Sequence, residues 1–407
     1  MSLLKSRFIE MFGNVATNNK RWEKTKLGNK SVIGSSKRIF ANEYTTEGIP
    51  FYRSKEIIEL GMGEKPSVEL YISKKRYQEI KEKFGIPIPG DILMTAVGTI
   101  GKFWIVPNSK PFYYKDGNLV YIRTKEFNTL FLKKLLEMLI EKYKVENANG
   151  SAYTALTIEK LKDLQIVLPP MTLQKQYEEF HIQIDKSKFL LQQILEKFEL
   201  LKKSRFIELI GNIQNPKYQL VELNEICEFI KDGTHQTPIY TEDRVNGFKF
   251  LSSKDVTSQK INWSNIKYIP KELHEQLYAK LSPKRGDILL AKNGTTGVAA
   301  VVDSDEIFDI YVSLALLRPK SGVNVSYLCS ALNSEDLKRQ FNSSLKGIGV
   351  PNLHLREIKK ARIIFPPIDI QNKISSITKQ IDKSKFNVFQ DQTAAQVKVI
   401  VVLHHIC

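Results

Sequence analysis

The residues best equipped for chemistry are hydrogen-bonding groups gathered in short turns. Asp232-Gly233-Thr234-His235-Gln236-Thr237-Pro238 places a carboxylate, two hydroxyls, an imidazole and an amide in a run with little bulk. That composition suits hydrogen bonds to base edges and phosphates. Gly98-Thr99-Ile100-Gly101 and Gly294-Thr295-Thr296-Gly297 each follow a Gly-Asp-Ile-Leu run and precede another β-rich run. Each is either a tight turn without a ligand or a place where backbone N–H groups approach a phosphate. Flanking Lys102 in one, and Lys292-Asn293 in the other, favour the second reading, with Thr99 and Thr295 as hydroxyl donors. A Gly-x-x-Gly clamp for RNA would lie between helices, which neither does. Further candidates for nucleic-acid contact are Lys37, Arg38, Arg53 and Lys55, then Lys231 and Lys254. Taken singly, each also fits an ordinary solvated surface.

A catalytic constellation does not emerge. There is no P-loop lysine. Pro169-Pro170 and Pro366-Pro367 lack the preceding Asn or Asp of an amino-methyltransferase loop, and no Gly-rich cofactor loop accompanies them. Glu79-Ile80-Lys81 and Glu357-Ile358-Lys359 resemble half of a nuclease site, but in a chain with 26% charged residues such triplets arise by chance. The six histidines are scattered, and no metal-ligand spacing is present.

Bulk properties narrow the partner. The net charge of +17 favours a polyanion, with nucleic acid first and generic RNA binding still open. No apolar run approaches the ~20 residues of a membrane span. The segment Met1–Arg7 has no signal-peptide character, and three cysteines (Cys227, Cys329, Cys407) without metal spacing point to a reducing, cytoplasmic setting.

The elements that carry these residues occur twice. Lys5-Ser6-Arg7-Phe8-Ile9-Glu10 recurs as Lys203-Ser204-Arg205-Phe206-Ile207-Glu208. Gly90-Asp91-Ile92-Leu93 recurs as Gly286-Asp287-Ile288-Leu289, and the other anchors repeat at offsets of 196 to 199 residues. Residues between the anchors differ widely. Within each copy, β-rich runs at Asp91–Met94, Lys102–Val106 and Asn118–Arg123 alternate with turns. A helix is expected over Phe127–Lys144, with a counterpart over Val325–Phe341. Final strands are expected at Gln165–Leu168 and Arg362–Phe365.

Each copy ends in a Pro pair followed by a heptad run. The first seam is Leu173, Tyr177, Phe180, Ile184, Leu191, Ile194, Phe198 and Leu201, on a helix of about 60 Å closed by Gly211-Asn212. The second is Ile370, Ile374, Ile377, Ile381 and Val388. An apolar seam must be covered, and the economical partner is the other copy. The expected organisation is an N-terminal helix 1–13, a domain 14–168, a central helix 169–212, a domain 213–365, a shortened distal helix 366–390 and a divergent tail 391–407.

The duplicated Gly-Asp-Ile-Leu…Gly-Thr-x-Gly, the Asp232–Pro238 run and Pro-Pro-x-x-x-Gln (Gln174, Gln371) together resemble the specificity subunit of a type I restriction–modification enzyme, over about residues 1–390. The first copy departs from this pattern, with Gly34-Ser35-Ser36-Lys37-Arg38 in place of Asp-Gly-Thr-His. The resemblance implies an α+β fold of two similar mixed α/β target recognition domains, separated by two long antiparallel coiled-coil helices in a pseudo-two-fold repeat. It implies a non-catalytic chain that binds double-stranded DNA, each domain reading one half of a split target and the helices setting the gap. On one DNA face the halves would lie about one helical turn apart. It also implies two methyltransferase subunits, which use S-adenosylmethionine to methylate adenine, and restriction subunits that use ATP and Mg; this chain itself binds no cofactor. A stand-alone or fused endonuclease and a basic RNA-binding scaffold are the rival readings.

Overall fold

The computed structural model describes residues 3–15, 17–107, 110–146, 155–257, 259–294, 296–344 and 352–404, with backbone alone for 344, 389 and 391–404. The chain divides into two compact units, Met1–Leu190 and Leu191–Cys407.

In the first unit the principal sheet runs Val32–Gly34, Leu119–Arg123, Ile92–Thr95, Phe103–Ile105, antiparallel throughout. Ile92–Thr95 lies inside the sheet and is buried along its whole length, as its apolar run requires. A smaller sheet orders Tyr44–Thr45, Tyr71–Ile72, Ile49–Tyr52 and Tyr113–Tyr114, its last pair parallel. A short ladder joins Lys24–Lys26 to Gln165–Val167 and ties the beginning of this region to its end.

The second unit repeats the order. Its principal sheet runs Cys227–Asp232, Leu314–Pro319, Ile288–Ala291, Ala299–Val301, again antiparallel. Its smaller sheet runs Lys267–Ile269, Phe248–Leu251, Phe308–Ile310, with the same parallel last pair. The closing ladder pairs Leu220–Glu222 with Arg362–Ile364.

Behind the first principal sheet lies helix Thr129–Glu146, which buries Phe131, Leu132, Leu135, Leu136 and Ile140 along one stripe. Asn128 starts it by accepting the N–H groups of Leu130 and Phe131 at 3.0 and 3.1 Å. Its expected counterpart is broken into Val325–Leu332 and Glu335–Ser344. Asn333 interrupts the helix because its amide donates to the carbonyls of Cys329 and Ala299, both at 2.9 Å, and accepts the Ala299 N–H at 3.1 Å. Ser334 then caps a new start through Leu337 N–H at 3.3 Å.

The long helices are Met171–Ile210 and Ile368–His404. The second continues past 390, where the sequence repeat ends, since no Gly or Pro follows to stop it. Their opening turns do not form a free seam. Tyr177 is fully buried among Phe8 and Phe12, with ring centroids 5.2 and 5.9 Å away, and Leu173 packs against the same core. Ile374 belongs to the core of the second unit, and Ile370 packs against it. Phe180 and Ile184 are buried, with Arg7 over the Phe180 ring at 5.6 Å. Within the second unit, residues 191–210 run antiparallel to the distal helix, through Lys202–Asp382 at 2.6 Å and an ion pair between Lys385 and Glu199. Ile381 is buried there, and Leu191, Ile194, Phe198, Ile377 and Val388 are half-buried. Leu201 is 41% exposed and lies outside the covered seam.

One buried amide fixes each helix to its domain. Gln174 accepts the Asn128 N–H at 2.9 Å and donates to the Pro169 carbonyl at 2.8 Å. Gln371 does the same with Asn324 N–H at 2.9 Å and Pro366 at 2.8 Å. Replacing Gln371 by Ala strands both backbone groups, which costs about 2–4 kcal/mol. Chemical denaturation of the full chain should show that loss, with Gln371→Glu intermediate because it keeps the acceptor.

Candidate nucleic-acid interface

The repeated Gly-Asp-Ile-Leu runs position the hairpins that carry a third of the candidate residues. Gly90 and Gly286 both have left-handed φ, +90° and +91°, and turn the chain into the buried strand. Asp91, 1% exposed, accepts both nitrogens of the Arg123 fork at 2.7 Å and the Ile88 N–H at 2.9 Å. Asp287 repeats this with Arg318 at 2.8 and 2.7 Å and with Lys284 N–H at 2.9 Å. These carboxylates are structural, each joining a turn to a neighbouring strand.

The Gly-Thr-x-Gly segments are the tips of strand hairpins. In the first, Thr95 Oγ donates to the Thr99 carbonyl and accepts the Lys102 N–H at 3.0 Å. The second glycine of each segment faces inward. A Cβ on Gly101 would meet Ile140 at 2.7 Å, and one on Gly297 would meet Phe341 at 3.2 Å. The first glycine faces open space in both copies, with φ of +75° at Gly98 and +74° at Gly294. Only that half of the motif leaves backbone free to approach a ligand. Thr99 and Lys102 are exposed beside it, and Thr295 lies outside the described residues.

The remaining candidates divide into scaffold and surface. Lys292 is buried, with its ammonium 2.8 Å from Asp232, so it braces the Asp232–Pro238 loop from within. His235 approaches the same carboxylate at 3.5 Å but is exposed. Gly233 is required because a Cβ would lie 1.9 Å from the Ile310 carbonyl. Thr234 bonds that carbonyl through its N–H at 3.0 Å. Lys231, Gln236, Thr237 and Lys254 are exposed, and Lys231 lies over Phe229 at 5.1 Å. Asn293 is half-buried and bridges Asn352 through its backbone, and its side-chain oxygen has no partner among the described residues.

In the first unit Arg53 is held by Glu56 at 2.9 Å and Glu69 at 2.8 Å, and Lys55 reaches Glu69 at 3.4 Å. Arg53 therefore closes the start of helix Ser54–Gly61 and is half-buried. Arg38 is exposed with Asp116 at 2.8 Å, and Lys37 is exposed over the Phe84 ring at 5.2 Å. Lys37 borders a cavity of about 280 Å³ walled by Ser36, Phe84, Tyr113 and Tyr121.

At the corresponding place, the second unit has a cavity of about 500 Å³ bordered by Thr234, His235, Gln236, Gln276, Lys280 and Lys359. Gln276 and Lys280 were not legible as candidates, because nothing in the order of residues brings their segment opposite the 232–238 loop. Asp309, in the same wall, pairs with the buried His274 at 2.6 Å. Burial raises the pKa of its carboxyl, and its second oxygen has no partner among the described residues.

Among the described residues, no group of three or more His, Cys, Asp or Glu is placed to hold a metal ion. None of their helices is long and apolar enough to cross a membrane. Glu79-Ile80-Lys81 and Glu357-Ile358-Lys359 lie on helices Lys74–Phe84 and Leu355–Lys360 with their isoleucines in the core, so each is an ordinary helix face.

A family model described as the type I restriction modification DNA specificity domain matches residues 19–200 and again 215–398. The chain belongs to that family. A Haemophilus influenzae protein named "Putative type I restriction enzyme specificity subunit S.HindORF215P" is 33% identical over 180 residues. That match spans 44% of this chain and 40% of the relative's own length. A chain from a solved structure of a type I R-M system aligns over 94% of this chain and 95% of its own, with 17% identity and a TM-score of 0.58. The type I S subunit from M. genitalium aligns over 95% and 96% at 15% identity, with a TM-score of 0.49. The first of these likenesses, at 17% identity, is one of fold.

The two specificity domains thus share their ion pairs, glycine turns and buried glutamines, and differ in the groups they expose. The distinction is testable in the second domain. Lys292→Ala removes the brace on Asp232 and should cost about 2–3 kcal/mol in denaturation experiments. Lys254→Ala and Lys231→Ala should stay within about 0.5 kcal/mol of the parent chain while weakening its binding to duplex DNA.

Proposed function

We propose that this chain is the DNA-specificity subunit of a type I restriction–modification complex and works in the cytoplasm. Each specificity domain reads one half of a bipartite target in double-stranded DNA, and the helices set the unread gap. The chain is non-catalytic. Two methyltransferase subunits bring S-adenosylmethionine and methylate adenine in the sites it selects, and restriction subunits using ATP and Mg cut the DNA. Base flipping for the methyl transfer belongs to the methyltransferase partner.

The observation that carries this reading is one framework used twice with unlike linings. Asp91–Arg123 and Asp287–Arg318 hold the same hairpin, and Gln174 and Gln371 hold the same helix junction. Yet the corresponding cavities are lined by Ser36, Lys37, Phe84, Tyr113 and Tyr121 in one domain and by Thr234, His235, Gln236, Gln276, Lys280 and Lys359 in the other. A pair of different readers on equal frames suits an asymmetric, two-part target. The net charge of +17 supplies sequence-independent attraction that weakens with salt.

Exchange of residues 213–365 for the matching domain of another family member should change one half of the methylated sequence. The other half and the gap length should stay as they were, read by methylome sequencing of cells that also carry the methyltransferase. A change in both halves, or in neither, counts against the assignment. Metal-dependent cleavage by the chain alone, lost on changing one carboxylate, would establish an endonuclease instead.

A further inference from the structure

We propose that a groove in the first specificity domain, between the Gly98–Gly101 hairpin and helix Thr129–Glu146, is a phosphate site. Lys102 and Lys144 there grip the sugar-phosphate backbone of duplex DNA irrespective of its sequence. This assignment rests on the reading of the chain as a binder of duplex DNA. The groove has a volume of about 370 Å³, and lysines dominate its wall: Lys5, Lys102, Lys133, Lys134 and Lys144, against Glu137 and Glu141.

Three of these cations are engaged. Lys133 and Lys134 share Glu137 at 3.0 and 2.9 Å, and Lys5 reaches Glu141 at 3.7 Å. Lys102 and Lys144 form no ion pair among the described residues. They are brought together by a glycine. A Cβ on Gly101 would lie 2.7 Å from Ile140 and 3.4 Å from the Lys144 ammonium, so a larger residue would push the helix and its lysine away from the hairpin. Burial, and next the field of Lys102, lower the Lys144 pKa, and the nearby Glu141 offsets only part of this. A phosphate oxyanion between them would relieve that repulsion.

The second domain shows that the scaffold does not demand this arrangement. The groove beside Lys203, the counterpart of Lys5, has its cations matched. Lys203 meets Glu335 at 2.9 Å, Arg339 meets Asp336 at 2.7 Å, and Lys202 meets Asp382 at 2.6 Å. Gly297 there faces Phe341, where Gly101 faces Ile140 and Lys144. Among the described residues, the groove beside Lys203 holds no unpaired lysine.

The test uses the full chain and a duplex of arbitrary sequence, with binding followed by fluorescence anisotropy over a series of salt concentrations. The double variant K102A/K144A should bind every duplex more weakly. The slope of log affinity against log salt should flatten by about 1.8, since each phosphate contact contributes about 0.9. K102R/K144R, which keeps both charges, should retain the parent slope, and so should K203A/K338A in the second domain. An unchanged slope in K102A/K144A overturns the proposal, as does a slope lost equally in K102R/K144R. Inorganic tripolyphosphate should displace the duplex no better than its ionic strength predicts. Displacement by tripolyphosphate at low concentration, abolished in K102A/K144A, would assign the groove to a free polyphosphate and overturn the claim for DNA. A parent chain without duplex affinity at low salt removes the functional reading itself, whereas parent affinity with an unchanged slope removes only this site.

Discussion

A carboxylate taken out of water and gripped by both arms of an arginine is the interaction on which each domain depends. Asp91 and Asp287 are each 1% exposed. A buried charge of this kind is tolerated only when its lone pairs are filled, and here the arginine fork and one backbone N–H fill them. The arginines are not idle on their other faces. Arg123 lies 5.3 Å from the ring of Tyr121, Arg318 lies 4.7 Å from that of Phe229, and each donates to a turn carbonyl, Ile86 or Ser282. One side-chain pair therefore joins the turn before the buried strand to the strand beside it. The hairpin that follows inherits its direction from this pair, and so do the loop tips with exposed groups.

The glycines follow from the same economy of space. Gly101 and Gly297 let a helix pack directly on the hairpin, and Gly233 lets the 232–238 loop pass against Ile310. Residues repeated between the copies are mostly those that let backbone meet backbone or that satisfy a buried charge. Exposed groups differ between the copies, and so do some packed ones, such as Ile140 against Phe341. A framework so specified can carry different surface groups at little cost to stability, because exposed substitutions away from caps and buried pairs change stability slightly. Two domains with unlike chemistry on equal frames are the expected result of duplication under that constraint.

Much of this was legible in the order of residues. The duplication, the strands around Ile92–Thr95 and Leu119–Arg123, and the helix starts after Pro170 and Pro367 rest on local signals, and the fold reproduces them. The pairing of like charges with unlike ones was not legible. Lys292 and Arg53 look like contacts in a list of basic residues, and only tertiary placement shows Asp232, Glu56 and Glu69 beside them. The heptad seam misled in a related way. Its period is correct, but Tyr177 and Ile374 face domain cores, because a helix leaving a globule spends its first turns covering that globule. The break at Asn333 was hidden for a similar reason. Its amide matters only because Ala299 happens to lie within reach.

The buried glutamines give the helix junctions their stiffness. A helix that leaves a domain through a Pro pair has lost N–H donors in its first turn, and rotation about that joint would otherwise meet little resistance. Gln174 and Gln371 remove that freedom by bonding at once to the preceding proline carbonyl and to the start of a domain helix. Both bonds are shielded from water, so neither is readily exchanged for a solvent bond, and bending the joint would leave two buried backbone groups unpaired. The far end of the central helix is fixed differently. Ile210 is buried in the second unit, and its carbonyl accepts the Lys217 N–H at 2.9 Å as Gly211, at φ +82°, turns the chain away. Each end of the helix is thus held by buried groups of its own unit.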